Sequence, residues 1–410
     1  MTSVVLPVVN RDESQQLPIS LLAWRRLHPL LNEDWFWPWE SLREFFGNSG
    51  YALYYGRNQG LFCDPPDSSP PSVDSFGLFG DRVDFPKHQL KMEPYPLAMA
   101  AWDSANRDVV IKVVSKGDEG AKELEILQYL NSEPLRSYAG NTTVPILDFL
   151  HFDDWRFAVM PRCDPSDSLP FRDAGECLEF SDQILSALAF LHNHRIAHLD
   201  ISNENILLNH RGQIPDTTDF CPESPYGFVA IWPPHPWRST FPVQYLLIDF
   251  GYSVRFPPDA PLSACTAVPN SGGREHRPAE ALESNPCNPF AVDVYQTARL
   301  FYGWFADVVH STPGFLELLQ DMSSFNPARR PSAAESLARF RAFRHLFPKD
   351  QLHEVHEYAL FSFPLVPRPH WVMVRDLLEC RRWYFTFDYI THALKDWVLH
   401  VLGRKPKNGP

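Results

Sequence analysis

No Cys-x-x-Cys pair occurs in the 410 residues, and the seven cysteines are scattered and odd in number. That excludes a zinc framework and a disulfide-built small fold, and it is the usage of a reduced intracellular protein. Positive charge is in deficit: 37 Lys and Arg stand against 50 Asp and Glu, a net charge of −13 at pH 7. Nucleic-acid binding by phosphate neutralisation is therefore not expected, nor is a polybasic membrane surface. No apolar run reaches the eighteen or so residues that cross a bilayer. Met1 to Gln16 lacks the basic start and apolar core of a secretory leader. The expected location is the cell interior, in the cytoplasm, with no membrane span and no nucleic-acid partner.

What is present points to a folded protein with long loops. About 44% of residues are apolar, enough for a substantial core, and 39 are proline. The length allows two or three domains. Residues 18–60 are rich in aromatics, and Ser41-Leu-Arg-Glu-Phe-Phe has the spacing of a short amphipathic helix packing on a larger body. Residues 63–75 read as a Pro/Ser-rich linker. Strands are expected over Leu97 to Trp102, Arg107 to Val114, Val144 to Leu150 and Trp155 to Met160, with a helix from Gly120 to Leu130. From Ala174 the pattern turns helical, with Phe180, Ile184, Leu188 and Leu191 at three- and four-residue steps. A Pro- and Trp-rich stretch, 209–243, reads as a surface insertion, and residues 346–410 as a helical tail.

Two motifs stand where strands give way to helices. His198-Leu-Asp200-Ile-Ser-Asn-Glu-Asn205 follows a predicted helix and runs into Ile-Leu-Leu; Leu246-Leu-Ile-Asp249-Phe-Gly251 is an apolar strand ending in Asp, Phe and Gly. Upstream, Val109-Val-Ile-Lys112 lies on a predicted strand, and the following helix offers Glu123 and Glu125. In order and spacing these resemble the catalytic loop, the D-F-G motif and the lysine strand of protein kinases. Three later segments add to the resemblance. His276-Arg-Pro-Ala-Glu280 is similar to the end of the activation segment. Asp293-Val-Tyr-Gln is similar to the start of the helix that holds the catalytic loop. Phe325-Asn-Pro-Ala-Arg-Arg330-Pro-Ser is similar to the step whose Arg pairs with the activation-segment Glu.

The resemblance covers roughly residues 95–345. It implies an α+β, bilobal protein-kinase-like fold: a domain over 76–345, with a β-rich N-lobe to about residue 160 and an α-helical C-lobe over 164–345, after an extension at 1–75. Val144 to Leu150, Val159-Met-Pro161 and Ala197 to Ser202 also look like the kinase-like proteins of mushroom-forming fungi.

The implied reaction moves the γ-phosphoryl group of Mg·ATP to a hydroxyl of a protein substrate, Ser or Thr rather than Tyr. Such a transfer needs charge neutralised and two oxygens held in line, with little covalent help. Asp200 would accept the hydroxyl proton. Asn205 and Asp249, both hard oxygen donors, would hold Mg²⁺. Lys112 would clamp the phosphates, oriented by Glu123 rather than Glu125, because the family's helix Glu precedes an x-x-Ile-Leu step. The adenine would lie between Val110 and Leu207, beside a hinge from Met160 to Cys163. Leu127 should pack toward Phe250 and His198, and Glu280 should pair with Arg330.

The chain also departs from the family. No G-x-G-x-x-G precedes Lys112, and the nearest candidate, Phe76-Gly77-Leu-Phe-Gly80, has one glycine step. Val110 stands where a small Ala is usual and would crowd the base. Ser202 and Gly273 replace the Lys and Thr that serine/threonine kinases place near the γ-phosphate. Leu199 replaces the Arg of H-R-D, so activity should not depend on phosphorylation of the activation segment. The alternative reading is a pseudokinase, a nucleotide-binding or scaffold module with little turnover.

Overall fold

Val109, Ile111 and Val113 are buried while Val110 and Lys112 between them are partly exposed. This period of two marks a strand with two unlike faces. The computed structural model describes residues 17–27, 35–57, 60–62, 95–105, 107–166, 171, 173–209, 238–268, 276–282, 285–349 and 351–352. Its first part contains helices α1 (Leu21–Arg25), α2 (Trp37–Ser41) and α3 (Arg43–Asn48), then strands β1 (Tyr51–Leu53), β2 (Tyr55–Arg57), β3 (Gly60–Phe62), β4 (Ala98–Asp103) and β5 (Asp108–Lys116). Helix α4 (Ala121–Leu130) and strands β6 (Asp148–Phe152) and β7 (Trp155–Pro161) complete the lobe. A five-stranded antiparallel sheet has the order β1-β4-β5-β7-β6.

The aromatic N-terminal segment covers one face of this sheet. Trp24, Trp35, Trp39 and Phe46 share a buried core with Val109, Ile111, Val113, Phe157 and Val159. The Trp24 ring meets Trp155 and Trp39 edge to face at 4.9 and 5.3 Å, the arrangement that aromatic quadrupoles favour. Residue 75 is therefore no boundary between extension and domain. β1 lies before it and forms the sheet's edge, and residues 54–97 join β1 to β4. The strand expected from Val144 begins only at Asp148. Pro145 has no N–H to give a ladder, and the preceding chain instead runs to Val144, whose N–H donates to Leu247 O at 2.9 Å.

The second part is mainly helical. β8 (Asp164–Pro165), α5 (Ala174–Asn193), β9 (Ile196–Ala197), β10 (Ile206–Asn209), β11 (Gln244–Leu247) and β12 (Val254–Arg255) precede α6 (Pro289–Ser311), α7 (Pro313–Met322) and α8 (Ala333–Leu346). Phe180, Ile184, Leu188 and Leu191 of α5 are buried in a core shared with α6, α7 and α8. Asp173 caps α5 by accepting from Glu176 N at 3.0 Å, and Asn288 caps α6 by accepting from Ala291 N at 3.0 Å.

The described end of the 209–243 stretch is not a loose surface segment. Arg238 is 4% exposed; its guanidinium lies 3.6 Å from the Phe171 ring centroid and donates to Ser166 O at 2.6 Å. Buried charge needs such satisfied donors. Residues 210–237, the linker at 63–75, the glycine candidate at 76–80, Gly273 and the tail beyond residue 352 lie outside the described residues. The chain divides into two compact units, Met1–Leu360 and Phe361–Pro410.

Candidate active site

Lys112 owes its surroundings to a tight start of α4. Gly120 has φ +84°, and a Cβ there would lie 2.2 Å from Val114 O. Glycine alone lets α4 begin so close to β5. Glu123 then falls in the first turn, with Oε1 2.5 Å from Lys112 Nζ, and Asp249 Oδ1 lies 2.8 Å from the same nitrogen. Glu125 points to another side, where its Oε1 is 3.2 Å from Arg255 Nη1.

One cation serves two carboxylates, and their pKa values move in opposite directions. Burial opposes the Lys112 charge, but Asp249 and Glu123 outweigh it and hold the ammonium protonated beyond its usual range. Burial would raise Asp249 too, yet the Lys112 charge and the Gly251 N–H bring it down to about 2. For Glu123 burial prevails; with Asp249 adding repulsion, its pKa is raised despite Lys112.

The loop from His198 to Asn205 hangs from α6. Asp293, 0% exposed, accepts from His198 N at 2.8 Å and Leu199 N at 2.6 Å, and its Oδ2 is 2.9 Å from His192 Nε2. Gln296, one turn further on, accepts from Ile201 N and donates to Leu199 O, both at 3.2 Å. Together they hold Leu199 at φ +65°, a left-handed conformation that costs a branched residue of order 1–3 kcal/mol. The sequence pointed to Asp293. It gave no sign of Gln296 except its spacing of three residues on the same helical face.

Asp200 and Asn205 are then locked to each other. Asn205 Nδ2 donates to both Asp200 Oδ2 and Asp200 O at 2.8 Å. The amide's other end, Oδ1, is an oxygen donor for a cation. His198 Nδ1 accepts from Asp200 N at 3.3 Å, so its Nε2 carries the proton and donates to Ile248 O at 2.9 Å. Ile248 N donates in turn to Asn205 O at 3.0 Å. These bonds tie the loop to the residue before Asp249. The Phe250 ring lies 5.1 Å from the His198 ring, and Phe250 shares a buried core with Leu127.

An amide oxygen and a carboxylate form a small, hard donor set. That suits Mg²⁺, which keeps several waters and takes phosphate oxygens beside one or two protein ligands. No group of three or more His, Cys, Asp or Glu suited to a metal is found among the described residues.

The residues expected beside the adenine are brought together less directly. Val110 pairs across the sheet with Met160 on one side and Ala100 on the other. Tyr54 N donates to Ala100 O at 3.0 Å and extends the row. The bulk added by Val110 is thus matched by a small neighbour. Cys163 is buried and precedes β8, whose Pro165 pairs with Leu207 of β10. Burial, with Asp164 adding to it, keeps the Cys163 thiol well above its usual pKa. Unanticipated is a cluster at the hinge: Tyr54 Oη donates to Asp108 Oδ1 at 2.6 Å, and Arg162 Nη1 donates to Tyr54 Oη at 3.2 Å.

The activation segment is anchored by apolar contact. Ala197, Cys265 and Phe290 form a small core, against which Leu199, Phe256, Ala260 and Leu262 pack. Arg195 Nε donates to Ala260 O at 2.7 Å and Asn288 Nδ2 to Leu262 O at 2.8 Å. Further on, Arg330 grips Glu280 with two nitrogens, at 2.5 and 3.2 Å, and also donates to Ala291 O.

The protein kinase domain family model matches residues 99–309. The chain belongs to the protein kinase superfamily, and its two lobes are the bilobal α+β kinase fold. Among solved structures, one of the Rad53 kinase domain and SCD2 is similar over 61% of this chain and 84% of that one, at 17% identity and a TM-score of 0.39.

Proposed function

We propose that the protein is an ATP-dependent protein kinase acting on Ser or Thr hydroxyls. The observation that carries this reading is Lys112 held between Glu123 and Asp249 at 2.5 and 2.8 Å, with Asp200 and Asn205 fixed on the linked loop. In this reading Lys112 takes the α- and β-phosphate charge and Glu123 orients it. Asn205 Oδ1 and Asp249 would hold Mg²⁺, which would neutralise phosphate charge. Asp200 accepts the proton of the substrate hydroxyl as its oxygen bonds to the γ-phosphorus and the bond to the ADP oxygen breaks. The base rests against Val110, Met160 and Leu207, next to Cys163.

The long connection at 54–97 favours a second reading. It separates β1 from β4 in sequence by far more than a tight turn, and it carries no G-x-G-x-x-G whose backbone N–H groups could cover the phosphates. With Ser202 in place of a Lys, that observation suits a pseudokinase.

Thermal unfolding with ATP, with and without Mg²⁺, separates the two. Nucleotide at about a hundred times its Kd stabilises by roughly 2.7 kcal/mol. A Mg²⁺-dependent rise that Asp249→Asn abolishes, followed by labelled phosphate on Ser or Thr of a peptide library, is the expected result. No rise at millimolar ATP rejects the kinase reading and leaves the scaffold.

A further inference from the structure

Helix α4 carries Glu123, so whatever sets the position of α4 sets the Lys112 clamp. Beyond the packing of Phe250 with Leu127, α4 meets the segment after Asp249 at Arg255. That residue sits in β12, whose pairing with β9 (Val254 with Ala197, Arg255 with Ile196) fixes its backbone to the C-lobe. Its guanidinium carbon lies 3.5 Å from the Tyr129 ring centroid, a stacked cation–π contact. Its Nη1 is 3.2 Å from Glu125 Oε1. Tyr129 and Glu125 are four residues apart on α4 and share a face. Tyr129 Oη in turn lies 3.1 Å from Nδ1 of His194, at the end of α5.

The two partners of Arg255 are unequal. The Glu125 side chain is 67% exposed, so that ion pair contributes little. The ring contact is the stronger one, because a planar guanidinium stacks on an aromatic face in a way an ammonium does not. The face of α4 that meets Arg255 is also distinct from the one that presents Glu123 to Lys112. Arg255 touches neither reacting atoms nor phosphate-binding groups.

We infer that Arg255 is a positioning residue: stacked on Tyr129, it couples the activation segment to α4 and keeps Glu123 against Lys112 without a phosphorylated side chain or a partner protein. The inference rests on the reading of Lys112 and Glu123 as the phosphate clamp. Leu199, half-buried against the small apolar core, stands where the family keeps an Arg and supplies no charge beside Asp200, whereas Arg255 ties the segment to α4.

Hydrogen exchange on the full chain tests this without requiring turnover. In Arg255→Ala, amide exchange across Leu124–Leu130 should quicken about tenfold while α5 and α6 keep their protection. Arg255→Lys should give a smaller effect, and Glu125→Gln almost none. Tyr129→Leu should match Arg255→Ala, whereas Tyr129→Phe, which keeps the ring face, should stay near the wild type. Unchanged exchange in α4 of Arg255→Ala overturns the inference, and so does a uniform loss across both lobes, which marks a merely structural arginine. Nucleotide-dependent stabilisation measured on the same variants is a separate readout. Its absence in the wild type would reject the kinase reading, while the exchange pattern still decides the role of Arg255.

Discussion

Lys112 binds two carboxylates whose pKa values are shifted in opposite directions, and pH separates their contributions. Asp249 has a folded pKa of about 2 against an ordinary 3.8. A carboxylate depressed on folding stabilises above its unfolded pKa and loses that effect as pH falls through the folded one. The stability difference between wild type and Asp249→Asn should therefore narrow by roughly 2 kcal/mol between pH 5 and pH 2. Urea midpoints across that range check it; a constant difference would mean that Asp249 is not paired in solution. Glu123 behaves differently, since burial raises its pKa. Glu123→Gln should change thermal stability little while lowering phosphoryl transfer at least tenfold. A large drop in melting temperature would contradict that division. Leu199 offers a third test. Its left-handed backbone suits glycine, so Leu199→Gly removes a strain of order 1–3 kcal/mol but also its apolar contacts. Leu199→Val should be the more destabilising of the two, because β-branching worsens a positive φ.

At the scale of elements, the residues that chemistry ties to fixed spacings were legible in the sequence, and the ones placed only by packing were not. The spacing from His198 to Asn205 and the Asp249-Phe-Gly triplet are short-range patterns, and both fall on the elements expected. Glu280 and Arg330 are far apart in the chain but sit in recognisable local contexts. By contrast α1 and α2, with five residues each, are too short to show a helical period and too short to be stable alone. They are helical because Trp24 and Trp39 are buried on the sheet, at 0% exposure. β1 is three residues long, and its aromatic composition hid it in the segment before it. Tyr54, Gln296 and Arg255 matter through neighbours 54 to 130 residues away, which no local pattern encodes. Trp24→Ala should cost about 3–5 kcal/mol by leaving a cavity under β7. Glu280→Ala should cost about 3 kcal/mol by stranding the Arg330 guanidinium, whose side chain is 1% exposed. Chemical denaturation measures both.

Across the whole molecule, the stretch around Ser263 and Thr266 is held by Leu199, Cys265 and Phe290 packing. Ser263→Asp and Thr266→Glu should therefore leave activity within about threefold of the wild type, measured on the same peptide. A tenfold change in either direction would show that this segment is switched by charge.

Cys163 and Cys177 have thiols pushed up first by burial, so neither should react with iodoacetamide at pH 8 until the chain is unfolded.

The aromatic helices that cover the sheet also set the smallest piece of this chain that stays dispersed in water. A polypeptide begun at residue 95 would keep every residue assigned to catalysis, yet lose β1 and the indoles of Trp24, Trp35 and Trp39. Val109, Ile111, Val113, Phe157 and Val159 would then form a bare apolar surface next to an open strand edge on β4. Such an edge pairs with its own copies. Fragments cut to the catalytic residues should therefore precipitate on expression, and those that keep everything from residue 17 onward should remain soluble.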